Sequence, residues 1–352
     1  MKFRFLSASR LFLFCISSLW IGNALSQSAP LATPRQRLHL LDFHIRDPWI
    51  LADTASRTYY LYATNSDQLT GVHRAGVMVY KSRDLRNWEA PFLVFTLPDG
   101  TWANPQENAW APEVHAYHGK FYLFVTLHNS SKIIAAQPAV RRTNFMRGTT
   151  IAVSDSPEGP FTLAKTDRPV PPADFMTLDG TFYQDAAGKP WMVYAHEWEQ
   201  KIDGTIESLP LEPDLSGAAG PPIFLFKGSD APWLDSTLQA DRRELSFVTD
   251  GPELYRTRDG HLLMLWSSFG FGGYIETIAR SKSGELRGPW EQLPPLLEVD
   301  GGHGMLFRSF DGQLLLVLHR ANTDAHAKIY EIEDDGDRLV VLRERVDLDG
   351  VQ

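Results

Sequence analysis

The sequence holds a single cysteine, Cys15, and it sits in an amino-terminal apolar run rather than in the body of the chain. A disulfide framework is therefore excluded, and so is thiol catalysis once that run is removed. Positive charge is also scarce: 34 Lys and Arg face 43 Asp and Glu, a formal net charge of −9. That balance argues against a nucleic-acid surface and against an anionic membrane as partner. Sustained helical periodicity is missing throughout. The glycines before Tyr274 are followed by no lysine and open no helical pattern, so no phosphate loop is present. There is no Gly-x-Ser-x-Gly elbow to support an esterase. His115, His128 and His196 have no spacing that marks a metal site.

What the amino terminus does have is the pattern of a secretory leader. Lys2, Arg4 and Arg10 precede an apolar run from Leu11 to Ile21, and Ala24-Leu25-Ser26 offers small residues for cleavage before Gln27. The run is too short for a membrane span, and Phe14 before Cys15 is too large for a lipoprotein site. The expectation is a signal peptide over 1–26, a linker over 27–37, and one folded domain over 38–352 in a periplasmic or secreted protein. Removing the leader takes the formal charge from −9 to −12.

The domain repeats itself. A small turn followed by a strand rich in apolar and aromatic residues occurs five times: Ser56–Thr64 (SRTYYLYAT), His118–Thr126 (HGKFYLFVT), Ala187–Ala195 (AGKPWMVYA), Asp259–Ser267 (DGHLLMLWS) and Asp311–His319 (DGQLLLVLH). Each copy is preceded by an apolar segment that pairs with it as a hairpin. Several are followed by a further strand and a Gly-Pro-aromatic or Asn-Trp turn, as in Thr150–Phe161 and Thr277–Glu291. Five units of about four strands predict an all-β, five-bladed β-propeller. The last hairpin, Lys328–Glu333 with Asp337–Glu344, is expected to complete the ring against strands from the start of the domain.

In a propeller the innermost strand of each blade lines the central channel, so residues that begin those strands converge although they are distant in sequence. The blade starts are Arg46-Asp47-Pro48-Trp49, Trp110-Ala111-Pro112-Glu113, Leu178-Asp179-Gly180, Asp250-Gly251-Pro252-Glu253 and Gly301-Gly302-His303-Gly304. Four carry a carboxylate and the fifth carries His303. Carboxylates converging on one axis suit general acid–base chemistry.

In this order and spacing, RDPWI, WAPEVH, LDGTFYQDAAGKPWMVY, DGPELY and GGHG resemble glycoside hydrolase family 43, over the chain from His39 to the last hairpin. The resemblance implies a five-bladed propeller that hydrolyses α-L-arabinofuranosyl, β-D-xylosyl or related linkages with inversion. By position it implies Asp47 as general base and Asp179 as the auxiliary carboxylate that keeps the acid protonated. Trp110 and Glu113 match the segment near the sugar, Trp49 stands beside the base, and His303 matches a histidine that often holds a calcium ion in the channel. A hydrogen bond from His303 to Asp47 or substrate is the other reading of that residue.

The general acid is where the sequence departs from the family, which has Glu-Gly-Pro where this chain has Asp250-Gly251-Pro252. Register points to Asp250, one methylene shorter than glutamate. Glu197, in His196-Glu197-Trp198, and Glu253 are the alternatives, and loss of the acid would leave a sugar-binding protein. Long inserts, 129–147 and 199–241, are expected to wall the site into a pocket for one terminal sugar. The overall expectation is an exported, exo-acting arabinofuranosidase without a required cofactor, with β-galactofuranosidase or β-xylosidase as alternatives and an oligo- or polysaccharide as partner.

Overall fold

The computed structural model describes residues 37–135, 142–234, 246–271, 273–298 and 300–350. The expected leader and all but the last residue of the expected linker lie outside them, as do parts of both inserts.

Among the described residues, twenty strands form five antiparallel four-stranded sheets, each from one contiguous stretch of chain. Blade one is β1 (Trp49–Asp53), β2 (Thr58–Thr64), β3 (Gly76–Ser82) and β4 (Phe92–Thr96); blade two is β5 (Trp110–Tyr117), β6 (Lys120–Ile133), β7 (Phe145–Ser154) and β8 (Thr162–Leu163). Blade three is β9 (Thr177–Gln184), β10 (Pro190–His196), β11 (Thr205–Pro210) and β12 (Ile223–Lys227). Blade four is β13 (Asp250–Arg256), β14 (Leu262–Gly270), β15 (Gly273–Ser281) and β16 (Trp290–Leu297). Blade five is β17 (Gly301–Arg308), β18 (Leu314–Arg320), β19 (His326–Asp334) and β20 (Leu339–Glu344). The fold is the five-bladed propeller that the repeats predict.

The repeated stretches are the second strands, and they are apolar for a reason. Each lies between two neighbouring blades and is buried on both faces, so alternation gives way to a continuous run. Leu263 and Leu265 of β14 meet Leu314, Leu316 and Leu318 of β18 in one such layer, and Trp191 and Val193 of β10 meet Met264 and Trp266 in another. The turn leading into four of these strands holds a left-handed glycine, Gly119, Gly188, Gly260 or Gly312, at φ between +78° and +93°. Blade one uses Arg57 there, at φ +50°.

The inner strands share a second distortion. A left-handed residue recurs at or just before the start of each: Asp47 (φ +50°), Ala111 (+42°), Asp179 (+54°), Gly251 (+48°) and His303 (+54°). In blades two to five the ladder to the second strand slips register at that point, a β-bulge that re-aims the side chains around it. Aligned on the left-handed residue, Arg46, Trp110, Leu178, Asp250 and Gly302 form one tier. Asp47, Ala111, Asp179, Gly251 and His303 form the next, and Trp49, Glu113, Thr181, Glu253 and Met305 lie two residues further down the channel.

The last hairpin forms β19 and β20, and β19 pairs with β18 within blade five. It completes the ring against the start of the domain by side packing: Ala327 and Ile329 of β19 share a core with Leu40, Tyr59 of β2 and Tyr80 of β3. Across the same seam the Ile45 N–H donates to the Ala325 carbonyl across 2.9 Å.

Candidate active site

The upper end of the channel opens into a cavity of about 910 Å³. Asp47, Trp110, Arg147, Asp179, Glu197, Asp250 and Tyr274 all line it. Its centre is an ion cluster around one imidazole. His303 Nδ1 lies 3.3 Å from Asp47 Oδ1, 3.6 Å from Asp250 Oδ1 and 3.8 Å from Asp179 Oδ2. Burial disfavours a charged ring, but the three carboxylates outweigh it and hold the imidazolium well above the usual histidine range. Gly251 lets this ring approach: a Cβ there would fall 2.8 Å from His303 Cγ.

The three aspartates are not equivalent. Burial pushes Asp47 up, but His303 and His319 more than offset it, so its pKa is lowered and it stays ionised. His319 Nδ1 is 3.2 Å from both Asp47 Oδ1 and the Asp47 backbone nitrogen. Burial and the neighbouring Asp250 charge raise Asp179 well above the carboxylate range. Asp250 goes the other way. Burial opposes its charge, yet bonds from Asp179, His303 and Tyr274 hold it far below the usual value. One proton is thus shared by the Asp179–Asp250 pair and resides on Asp179.

This geometry weighs against Asp250 as an acid. It is pinned ionised, with Tyr274 donating to Oδ2 across 2.6 Å. Asp47 and Asp250 also converge on the same ring nitrogen, so the oxygens that meet it lie within about 7 Å of each other. That ceiling overlaps the roughly 6.5–9.5 Å that an inverting pair needs, so it is the partners of Asp250, not its separation from Asp47, that weigh against it.

Glu197 has the opposite character. It follows β10 at the same end of the channel and is 1 % exposed. Burial raises its pKa to about 7, against the pull of Arg147 and with help from the charges of Glu199 and Asp250. Glu197 Oε1 pairs with the Arg147 guanidinium, and Oε2 has no hydrogen-bond partner. Arg147 also donates from Nε to His128 Nδ1 at 2.9 Å and lies over the Trp110 ring at 4.8 Å. His128 is held well below its usual range by burial and by Arg147, so it accepts that bond as a neutral ring. Trp110, 37 % exposed, offers its indole to the cavity.

Three expected residues lie elsewhere. Trp49, Glu113 and Glu253 occupy the tier two residues further down, because side chains two apart share a strand face but are separated along it. Trp49 is buried, donates to the Val114 carbonyl at 3.0 Å and lines a separate cavity of about 530 Å³. Glu113 pairs with His115 at 2.9 Å, and Glu253 accepts from the Leu306 N–H at 2.8 Å.

Calcium takes six to eight oxygen ligands. Asp179, Asp250 and His303 bring one donor atom each within 4.8 Å of one another, but that is two carboxylates and a nitrogen, well short of an oxygen shell. These residues do not by themselves fit calcium, and no step below runs through it.

Arg147, Tyr274, His128 and His319 were not legible as site residues. They come from second and third strands, where they are polar groups at the upper ends of otherwise apolar runs. That break in an apolar strand was the available signal.

The sequence profile of glycosyl hydrolases family 43 matches residues 40–338. The chain is 37% identical to a solved endo-arabinase from Bacteroides thetaiotaomicron, with a TM-score of 0.74, covering 86% of this chain and 99% of that one. It is 23% identical over 198 residues to an extracellular endo-α-(1→5)-L-arabinanase of Bacillus subtilis, covering 52% of this chain and only 56% of the relative's length. It is 24% identical over 290 residues to an extracellular exo-α-(1→5)-L-arabinofuranosidase of Cellvibrio japonicus, covering 74% of this chain and 75% of that protein.

Proposed function

The chain belongs to glycosyl hydrolases family 43, and from that premise we propose that it is an exported enzyme that hydrolyses α-L-arabinofuranosyl linkages of arabinan-type polysaccharide with inversion. Asp47 is the general base and Glu197 the general acid. What carries the assignment of the acid is the contrast in partners: Asp250 accepts from the Tyr274 hydroxyl across 2.6 Å and its pKa is lowered, whereas burial raises Glu197, a cavity-lining residue, to about 7 and leaves its Oε2 without a hydrogen-bond partner.

Ionised Asp47 takes a proton from water as its oxygen attacks the anomeric carbon. The glycosidic bond breaks on the opposite face, and the proton of Glu197 passes to the departing oxygen. The role expected of Asp179, keeping the acid protonated, falls mainly to burial of Glu197, with smaller contributions from the charges of Glu199 and Asp250. Asp179 holds the proton that lets two adjacent carboxyl groups coexist. Trp110 carries an apolar sugar face, and Arg147 fixes the platform and the acid together.

We assign exo action, because Arg142 and Asn144, in the β6–β7 connection, bind Glu199 of the cavity lining at 2.9 and 3.0 Å and brace that side of the cavity. Endo action is the second reading, favoured by a cavity volume near the top of the range for ligand pockets. Linear arabinan and the para-nitrophenyl glycosides of α-L-arabinofuranose, β-D-xylose and β-D-galactofuranose test both points. Free arabinose from arabinan at early times supports exo action, and a ladder of oligomers overturns it. Turnover that survives Asp47→Ala would sink the assignment of the base, and no turnover on any substrate would leave a sugar-binding propeller.

A further inference from the structure

A second cluster of titratable side chains lies outside the ion cluster of the channel, at the seam where the ring closes. The Ile45–Ala325 backbone bond brings the segment ahead of β1 against the loop between β18 and β19. The residues that flank that bond are chemically matched. His44 stands on one side, and Asp324 and His326 on the other.

We propose that His44, Asp324 and His326 form a binding site for a divalent transition-metal ion of the zinc type. One donor atom from each residue lies within 4.8 Å of the others. The imidazoles face each other with centroids 4.4 Å apart and planes at 44°. Asp324 Oδ1 is 2.9 Å from His44 Nδ1. His326 Nδ1 is 3.2 Å from the Phe43 carbonyl, so it donates there and its Nε2 keeps the lone pair. A metal-binding histidine is normally held by such a bond, which fixes its tautomer and its direction.

The donor set selects the ion. Two imidazoles and one carboxylate suit zinc, copper or nickel, whereas calcium and magnesium want oxygens. Three protein ligands leave a fourth position for water. His44 and Asp324 are largely exposed, so their side chains can close from the observed spacing to bonding distance without moving the backbone. The ion would join the first blade to the last across the seam. It would also sit on the cavity rim, since His44 lines the cavity three residues before Asp47.

The full chain, purified without a polyhistidine tag, is titrated with zinc chloride by calorimetry while its thermal midpoint is followed. The expected result is one high-affinity ion per chain and a midpoint raised by roughly 5 °C at a hundredfold excess over the dissociation constant. His44→Ala and His326→Ala each weaken binding at least tenfold. Asp324→Asn keeps the shape of the site, weakens binding as well and guards against misfolding of the alanine variants. His73→Ala removes an exposed His–Asp pair without a second imidazole and changes nothing. Calcium chloride gives no shift. Absence of binding by the wild type, equal binding by the three seam variants, or an equal shift with calcium would each overturn the site.

Discussion

The Tyr274 hydroxyl donates to Asp250 Oδ2 across 2.6 Å. Through that bond a residue of the third strand adds to the hold that Asp179 and His303 have on a residue of the first. Tyr274→Phe leaves the ring stacked on His319, 5.3 Å away, and removes the donor alone. A hydrogen bond to a charged group is worth about 1.5–3 kcal/mol, so kcat/KM is expected to fall roughly ten- to a hundredfold. The loss should appear across the whole pH–kcat/KM profile, and a variant as active as the wild type would mean that the bond contributes nothing to turnover.

The two rival acids separate by leaving group. Glu197→Gln is expected to lower turnover of arabinan by a hundredfold or more. A dinitrophenyl arabinofuranoside departs without a proton and should lose far less. Asp250→Asn should lower both substrates by the same factor. The ratio of the two rates in each variant decides the matter, and a leaving-group dependence that appears only in Asp250→Asn reverses the assignment.

The alkaline limb follows from Glu197. Its raised pKa of about 7 keeps it protonated below that pH, so turnover should be lost as pH rises through about 7. Arg147 lowers that value, so Arg147→Met is expected to move the alkaline limb upward while reducing the maximal rate. The profile of kcat/KM against pH for both proteins gives the answer. A downward shift contradicts the ion pair.

A pH dependence of stability is expected from deeper in the channel. Burial raises Glu276 to about 8, although Ser267 and the Gly304 N–H donate to it at 2.9 and 2.8 Å. Its folded pKa lies above the unfolded value, so the folded state binds more protons between the two. Stability therefore falls as pH rises from about 4.5 to about 8 and levels off beyond. Glu276→Gln should flatten that decline, seen as a smaller difference in thermal midpoint between pH 5 and pH 9. An unchanged difference would assign the decline to other groups.

The architecture was legible because a strand buried on both faces has to be apolar along its length, and five such strands follow five turns. Asp47 and Asp179 were legible for a related reason, since each holds the left-handed position that starts an inner strand. The bulge itself was not. It sets Asp250 one residue ahead of the left-handed Gly251, so counting along the sequence made it equivalent to Asp47 and Asp179 when the backbone does not. The same slip explains Glu113 and Glu253, which sit a tier lower, as Trp49 does by following Asp47 by two residues. Arg147 and Tyr274 act through long-range contacts, marked locally only by a polar break in an apolar strand, and Glu197 stood out only as an acid ending an apolar strand.

Each blade is one contiguous stretch, and this sets the order in which the molecule matures. During synthesis from the amino terminus, every sheet can pair as soon as its own residues emerge, and Asp47 is laid down in the first of them. The imidazoles that hold its charge, His303 and His319, arrive only with the last. A nascent chain lacking its fifth blade carries Asp47 without those imidazoles, so on the proposed mechanism the capacity to hydrolyse is withheld until the circle is finished.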